Sequence, residues 1–114
     1  MTSLWELQNE HEVWATKNFP DAQSWEPLLG ATEELGELCH AYLKRKQGIR
    51  GDEEKHRREI CDAVGDIMLY LIHFCTLEHI DIECTLAEVW DDVQERDWIK
   101  NPKDGTVPTE ENNG

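Results

Sequence analysis

The stretch "EICDAVGDIMLYLIHFC", residues 59–75, decides the fold of this chain, because it reads as one long apolar helix with a single acidic stripe. At about 100° per residue, its apolar side chains cover most of the circumference, which predicts a helix buried on nearly every side. Within an arc of about 60° lie Glu59, Asp62, Asp66 and His73. A carboxylate in such a place needs a proton, a basic partner or a metal ion.

A second acidic cluster, "EELGE" at residues 33–37, lies on the preceding helical segment. Taken alone, its polar face is typical of an ordinary solvated helix. Both clusters, however, contain a glycine directly before an acid, at Gly36 and at Gly65. A glycine inside a helix costs about 1 kcal/mol relative to alanine, and close approach of two helices would explain this repeated cost. We therefore expect the two helices to approach closely at these glycines.

Close approach would bring carboxylates from both helices around one small volume. The expected metal ligands are Glu34, Glu37, Asp62 and Asp66, with Glu59 as a further candidate. Oxygen ligands suit a hard divalent cation, Mg²⁺ with Mn²⁺ as a second possibility, better than zinc, which prefers nitrogen and sulfur. The four cysteines have neither CxxC nor zinc-finger spacing, which favours reduced thiols in a cytosolic protein.

Size and charge narrow the classes of function. A chain of 114 residues with 39% hydrophobic content fits one domain, which we assign to residues 1–100. A net charge of −14 disfavours a polynucleotide partner, although a small polyphosphate can bind where divalent cations lie between the negative charges. No run approaches the length that spans a bilayer, and the acidic start is unlike a signal peptide, so we expect a soluble cytoplasmic protein without a membrane partner.

Capping signals divide the chain into four helices. The predicted helices run from after Ser3 to about Lys17, from Ser24 through Lys46, from Asp52 to about His79 and from Leu86 to about Trp98. Capping boxes at Ser3 and Thr85 mark the first and last starts. The polar residues 101–114 predict a disordered tail. We expect an all-α, antiparallel four-helix bundle, with a homodimer covering the apolar third helix.

The segments "EELGELCHAYLKRKQGIRG", residues 33–51, and "EICDAVGDIMLYL", residues 59–71, resemble the MazG-like family of all-α nucleoside triphosphate pyrophosphohydrolases. The resemblance covers roughly residues 5–98. It implies a helical bundle that forms homodimers or homotetramers. It further implies Mg²⁺ held by two carboxylates on each of two helices, and hydrolysis of an NTP or dNTP to the monophosphate and pyrophosphate, a reaction that would clear unwanted nucleotides.

The ligand set that the resemblance implies departs from the family pattern at one position. Glu34 and Glu37 match the first acidic pair, and Asp66 matches the last acid. The family has a Glu three residues before that last acid, where this chain has Ala63. Asp62 is the substitute that we favour, but Glu59 with Asp62 reproduces the same three-residue spacing, so the pair that ligates stays open.

The remaining site candidates serve catalysis and substrate binding. Glu37 or Glu34 would be the general base. The candidates for phosphate binding are Lys44, Lys46, Arg50 and Arg96, and those for base binding are Trp14, Asn18, Phe19 and Trp25. Two alternatives remain: the same chemistry on another substrate such as phosphoribosyl-ATP, and a non-catalytic acidic helical module that binds a basic protein.

Overall fold

Four α-helices and no strands form the regular structure of residues 3–106, the part of the chain that the computed structural model describes. The helices are α1 (Leu4–Asn18), α2 (Trp25–Gln47), α3 (Glu53–Leu77) and α4 (Ile82–Val93). The all-α prediction is therefore confirmed for these residues. They separate into two units, the first ending at Asp81 and the second beginning at Ile82.

Two helix starts follow from the side chains that the sequence places there. Ser3 Oγ accepts a hydrogen bond of 3.1 Å from the backbone N–H of Glu6. Asp52 Oδ1 accepts one of 2.8 Å from the N–H of Lys55. Each bond satisfies an N–H group that has no partner inside the helix. The predicted starts of α1 and α3 are confirmed.

Helix α2 begins and ends differently. Ser24 makes no side-chain capping bond. Glu26 Oε1 instead accepts a bond of 3.2 Å from the N–H of Gln23, which ties the chain entry to the first turn. At the other end, Gly48 has a φ of 69°, a left-handed conformation that glycine adopts without steric cost. The helix therefore stops where the sequence predicts, although the expected cap at its start is absent.

The predicted bounds of α4 are wrong at both ends. The helix begins at Ile82, one turn before the expected Leu86, because the apolar stripe already starts there. It ends at Val93, well before the expected Trp98. Beyond this point Asp97 Oδ1 accepts hydrogen bonds from two backbone N–H groups, which fold the chain into a turn and not a further helical segment.

The predicted tail begins with residues that form turns. The N–H of Gly105 donates to the carbonyl of Asn101 at 2.8 Å, and the N–H of Asp97 donates to the carbonyl of Gly105 at 2.8 Å. Gly105 has a φ of 70°. Residues 101–106 thus continue the ordered structure. The remainder of the predicted tail, 107–114, lies outside the described residues.

Helix α2 packs antiparallel on α3. Gly30, near the start of α2, lies against the ring of Tyr70 in the second half of α3. Arg45, near the end of α2, forms an ion pair of 3.7 Å with Glu53 at the start of α3. The start of α2 therefore contacts the second half of α3, and the end of α2 contacts the start of α3. The two helices form an antiparallel hairpin.

Helix α1 packs on the second half of α3, also antiparallel. The side chain of Gln8 is buried, and its Nε2 donates to Thr76 Oγ1 at 3.3 Å and to the carbonyl of Ile80 at 2.8 Å. One turn further along α1, the ring of His11 lies 5.3 Å from the ring of His73. α3 is therefore the central helix of the first unit.

The close approach of α2 and α3 lies at a different glycine from those predicted. A Cβ atom at Gly36 or Gly65 would meet nothing within 4 Å, so neither glycine lies at a tight helix contact. At Gly30, however, a Cβ atom would lie 2.5 Å from Cε1 of Tyr70. The expectation for Gly36 and Gly65 is wrong, because α2 packs on α3 through a different face of the helix, the face that contains Gly30.

The prediction that α3 is buried on nearly every side is also wrong for this chain by itself. Its buried side chains are His56, Ala63 and Ile72. Val64 is 47% exposed and Met68 is 40% exposed. α1 and α2 cover two sides of the helix and leave a third apolar side open. Burial of that side needs something outside the first unit.

The sides of the α2–α3 hairpin differ in chemistry. Helical periodicity puts one set of exposed apolar residues on the same side, here called the apolar side: Leu28, Leu35, Tyr42, Val64 and Met68. On the opposite side, called the acidic side, lie Glu37, Glu59, Asp62 and Asp66, all of them exposed. α1 packs toward the acidic side.

Helix α3 also differs from what the sequence predicted about membranes. The segment Glu53–Leu77 has the length and composition of a helix able to cross a bilayer, and 11% of its most apolar window is buried. That window contains Asp62 and Asp66. Each carboxylate would cost about 3 kcal/mol at the centre of a bilayer. Length and composition alone are weak evidence, because a core helix of a soluble protein meets the same criteria.

Candidate functional site

A pocket of about 440 Å³ opens where α1 crosses the α2–α3 hairpin. Its lining residues are His11, Trp14, Phe19, Glu34, Asp66, Leu69, Tyr70 and His73. All three helices of the first unit contribute, so the pocket exists only because α1 packs on α3. Aromatic and histidine side chains form most of its wall, and two carboxylates lie at its edge. This size and mixture are typical of a small-molecule site.

Glu34 carries the clearest electrostatic signature in this region. Its pKa is raised, first because the carboxylate is partly removed from water, and then because Glu37, Asp66 and Glu33 lie nearby. A hydrogen bond with Glu37 adds to the effect. Carboxylates from α2 and α3 therefore interact at one place. The sequence predicted this convergence for Glu34, Glu37 and Asp66.

The two open candidates on α3 are arranged differently. Glu59 Oε1 lies 3.6 Å from Lys55 Nζ, in an ion pair one helical turn apart. Asp62 is exposed and lies one turn before Asp66. Neither side chain is among the residues that line the pocket. Which of the two would act beside Asp66 stays a prediction, although Asp62 is nearer along the helix.

The described side chains do not form a complete metal site. Within residues 3–106, no group of three or more His, Cys, Asp or Glu residues has metal-binding geometry. The chemistry of the donors nevertheless fits a hard dication. Glu34 experiences negative charge from both Glu37 and Asp66, and like charges of this kind are relieved by a cation between them.

Two of the predicted base-binding aromatics form a wall of the pocket. The rings of Trp14 and Phe19 lie 5.7 Å apart and meet edge to face, at 76°. This geometry holds both rings in place through a favourable aromatic contact. Asn18 Nδ2 donates to the carbonyl of Trp14 at 2.8 Å, so its amide is bound to the backbone. Trp25 is 60% exposed and does not line the pocket.

His11 and His73 also line the pocket, although neither was among the site residues predicted from the sequence. Their rings lie 5.3 Å apart at an angle of 59°, and the ring of His11 lies 5.5 Å from that of Trp14. Burial lowers the pKa of both histidines. The His11 pKa is lowered further by His73, whereas Glu26 partly opposes the shift at His73. His73 lies on the acidic arc of α3, which was the one signal in the sequence.

Three of the four predicted phosphate-binding residues belong to the first unit but are not among the residues that line this pocket. Lys44 Nζ donates to Gln47 Oε1 at 3.0 Å. Lys46 Nζ lies 5.5 Å from the centre of the Tyr42 ring. Arg50 follows α2 with a φ of 61°.

The fourth phosphate-binding candidate belongs to the second unit. Arg96 Nη2 lies 3.2 Å from Asp92 Oδ2, in an exposed ion pair one helical turn apart. The aromatic pocket is formed entirely by the first unit. A role for Arg96 beside the phosphates stays a prediction.

Comparison with known proteins adds no relative: no family model, no curated protein and no solved structure matches this chain. The resemblance to the MazG-like family therefore stays a prediction from the residues that carry it.

Proposed function

We propose that this protein is a divalent-cation-dependent pyrophosphohydrolase that splits a nucleoside triphosphate into its monophosphate and pyrophosphate. One observation carries the proposal: Glu34 and Asp66 line the same pocket as Trp14 and Phe19. Carboxylates beside aromatic rings suit a ligand that has a planar base at one end and a charged phosphate chain at the other. The MazG-like resemblance points to the same reaction.

Mg²⁺ is the proposed cofactor, with Mn²⁺ as the second choice. Glu34, Glu37 and Asp66 would hold it, together with Asp62 or Glu59. Carboxylate oxygens are the ligands that Mg²⁺ prefers, and the mutual repulsion around Glu34 favours a bound dication. When bound, such an ion neutralises phosphate charge and lowers the pKa of a coordinated water.

The side chains would divide the remaining work. Glu37 or Glu34 would accept a proton from the attacking water. Trp14 and Phe19 would hold the base. Lys44 lies two helical turns after Glu37 on the same face of α2, where it could contact a leaving phosphate.

A homodimer, or a tetramer built from two such dimers, would complete the fold. The apolar side of the hairpin exposes large side chains that water solvates poorly, and a second copy of the chain is the simplest cover. We propose that the helices assemble as an antiparallel bundle and that the protein is cytoplasmic. Acids within α3 favour a soluble protein over a membrane-spanning one.

A second candidate function has an observation in its favour. Asp62 is exposed, and Glu59 is already paired with Lys55, as expected for a solvated acidic face. A non-catalytic module that binds a basic protein partner would need such a face and no metal. It would not need the aromatic pocket beside Glu34, which is why we rank it second.

Pyrophosphate release from a panel of NTPs and dNTPs, with and without Mg²⁺, tests the proposal. We expect cation-dependent release by the native chain and its loss in Glu34→Gln, whereas Glu88→Gln on α4 serves as the matched control. Phosphoribosyl-ATP belongs in the panel, because product analysis separates the two substrates. Absence of turnover for every compound would reject the enzyme and leave the acidic module as the better explanation.

A further inference from the structure

The wall of the aromatic pocket contains a pair of imidazoles that no proposed catalytic step uses. His11 comes from α1 and His73 from α3, and their ring centres are 5.3 Å apart. Both line the same pocket as Glu34 and Asp66. The pair forms only because α1 and α3 pack antiparallel, at the level set by the Gln8 hydrogen bonds one turn away.

One nitrogen atom of this pair lacks a hydrogen-bond partner. Nδ1 of His11 is buried and has no hydrogen-bond partner among residues 3–106. Buried polar atoms in folded proteins are nearly always paired, and leaving one unpaired costs roughly 1–3 kcal/mol. This nitrogen is closed off from solvent in the unliganded chain, and a turn of the His11 ring towards the pocket that it lines would let a ligand satisfy it. Trp14, which touches the His11 ring, would hold such a ligand by its flat face.

The charge of the pair decides what it can bind. Burial lowers the pKa of both rings, so each is mainly neutral near pH 7. A neutral imidazole has one donor and one acceptor nitrogen, whereas a protonated one has two donors. The acids that face this region are Glu26, Glu34 and Asp66, and they favour the protonated form. Burial nevertheless has the larger effect on both histidines.

We infer that His11 and His73 read the hydrogen-bonding edge of a planar heterocyclic base that stacks against Trp14 and Phe19. This inference rests on the proposed function and names the residues that would set its base preference. Donor and acceptor nitrogens side by side complement the alternating donors and acceptors along the edge of a nucleobase. Trp14 and Phe19 alone would not distinguish one base from another, because every base has an aromatic face on which they can stack.

Binding of nucleosides to the native chain tests the inference without any hydrolysis. Cytidine, uridine, adenosine and guanosine lack phosphates and need no metal. We expect at least one of them to shift the NMR signals of the His11 and His73 rings, while those of His56 and His79 stay in place. If no nucleoside shifts either ring, the inference is overturned.

Base preference of the variants gives the second readout. We expect His73→Gln to change the ratio of kcat/KM between the best and second-best base by roughly tenfold, the value of one good hydrogen bond. His79→Asn, at a residue with a φ of 58° that asparagine tolerates, should keep the ratio. An equal loss for all bases would show a merely structural role and overturn the inference.

The two readouts separate the inference from the proposed function. Ring shifts without any nucleotide hydrolysis would reject the enzyme and retain the base-reading pair. Hydrolysis with unshifted rings and an unchanged ratio would retain the enzyme and reject the pair. If His73→Gln fails to fold, the nucleoside titration of the native chain still decides.

Discussion

The acidic side and the apolar side of the α2–α3 hairpin are formed by the same two helices but differ in what packs against them. On the acidic side, α1 packs beside the carboxylates and creates a pocket. On the apolar side, residues such as Leu35 and Met68 remain exposed over 52% and 40% of their surfaces. One side thus holds a pocket of small-molecule size, whereas the other leaves apolar side chains exposed. The same amphipathic pattern can therefore indicate a site or a partner, depending on what packs against it.

Removal of the carboxylates on the acidic side should reduce the proposed activity more than any other change. Asp66→Asn should lower pyrophosphate release by roughly 100-fold or more, because a proposed ligand of the cation is lost. Asp62→Asn and Glu59→Gln, measured in the same assay, show which of them acts with Asp66. Asp91→Asn on α4 is the control. Unchanged activity in Asp66→Asn would remove the basis of the proposed site.

A charged residue placed on the apolar side tests whether that side forms the proposed dimer interface. Met68→Glu should weaken the proposed dimer by roughly tenfold or more, because a carboxylate would be buried without a partner. Sedimentation velocity over a concentration series measures the change. Val13→Glu is the matched control, since Val13 is an apolar residue that is 74% exposed on α1. A native chain that stays monomeric at every concentration would contradict the dimer.

Three helix glycines differ in what surrounds them, and alanine substitutions should therefore change the free energy of unfolding in opposite directions. Gly30→Ala should destabilise the fold by about 1–3 kcal/mol, because the new Cβ atom overlaps the ring of Tyr70, itself part of the pocket. Gly36→Ala and Gly65→Ala should instead stabilise it by about 0.5–1 kcal/mol, since nothing lies within 4 Å. Urea unfolding monitored by circular dichroism measures all three. A loss of stability at Gly36 or Gly65 would show a contact there, such as one made by a partner copy.

The dependence of stability on pH should be the smallest effect. The His11 and His73 pKa values lie below the ordinary 6.5, so the unfolded chain takes up protons first as the pH falls, and stability declines below about that pH. The Glu34 pKa lies above the ordinary 4.5, so its contribution has the opposite sign. Here stability is fully present below pH 4.5 and is lost as the pH rises through the raised value.

Urea unfolding of matched variants separates these two contributions. His73→Gln should flatten the decline in stability below about pH 6.5, because one of the two shifted histidines is gone. Glu34→Gln should leave that decline in place and remove the loss of stability that accompanies ionisation of Glu34 above pH 4.5. An unaltered profile in His73→Gln would contradict the lowered pKa of that histidine.

Local signals in the sequence predicted most of the helical structure. Ser3 and Asp52 start their helices with the bonds expected of capping side chains. Thr85 misled the prediction, since a similar capping pattern lies inside α4 and the apolar stripe that starts at Ile82 outweighs it. Capping is a local preference of about 1 kcal/mol, which burial of an apolar stripe easily exceeds.

The site could be predicted only in part, for a related reason. Carboxylates such as Glu34 and Asp66 can be recognised in the sequence by residue type and spacing. Their proximity follows once α2 and α3 pack together. The imidazole pair has no such signal, because His11 and His73 are 62 positions apart in the chain and meet only across the α1–α3 contact.

Local sequence patterns specify the helices, their order and the acidic stripe, because periodicity and charge are properties of neighbours along the chain. Packing between distant segments instead places Gly30 and not Gly36 at the close contact, leaves an apolar side of α3 open, and brings two histidines into one pocket. These depend on the rotation of each helix about its axis, which the packing of side chains from distant segments sets.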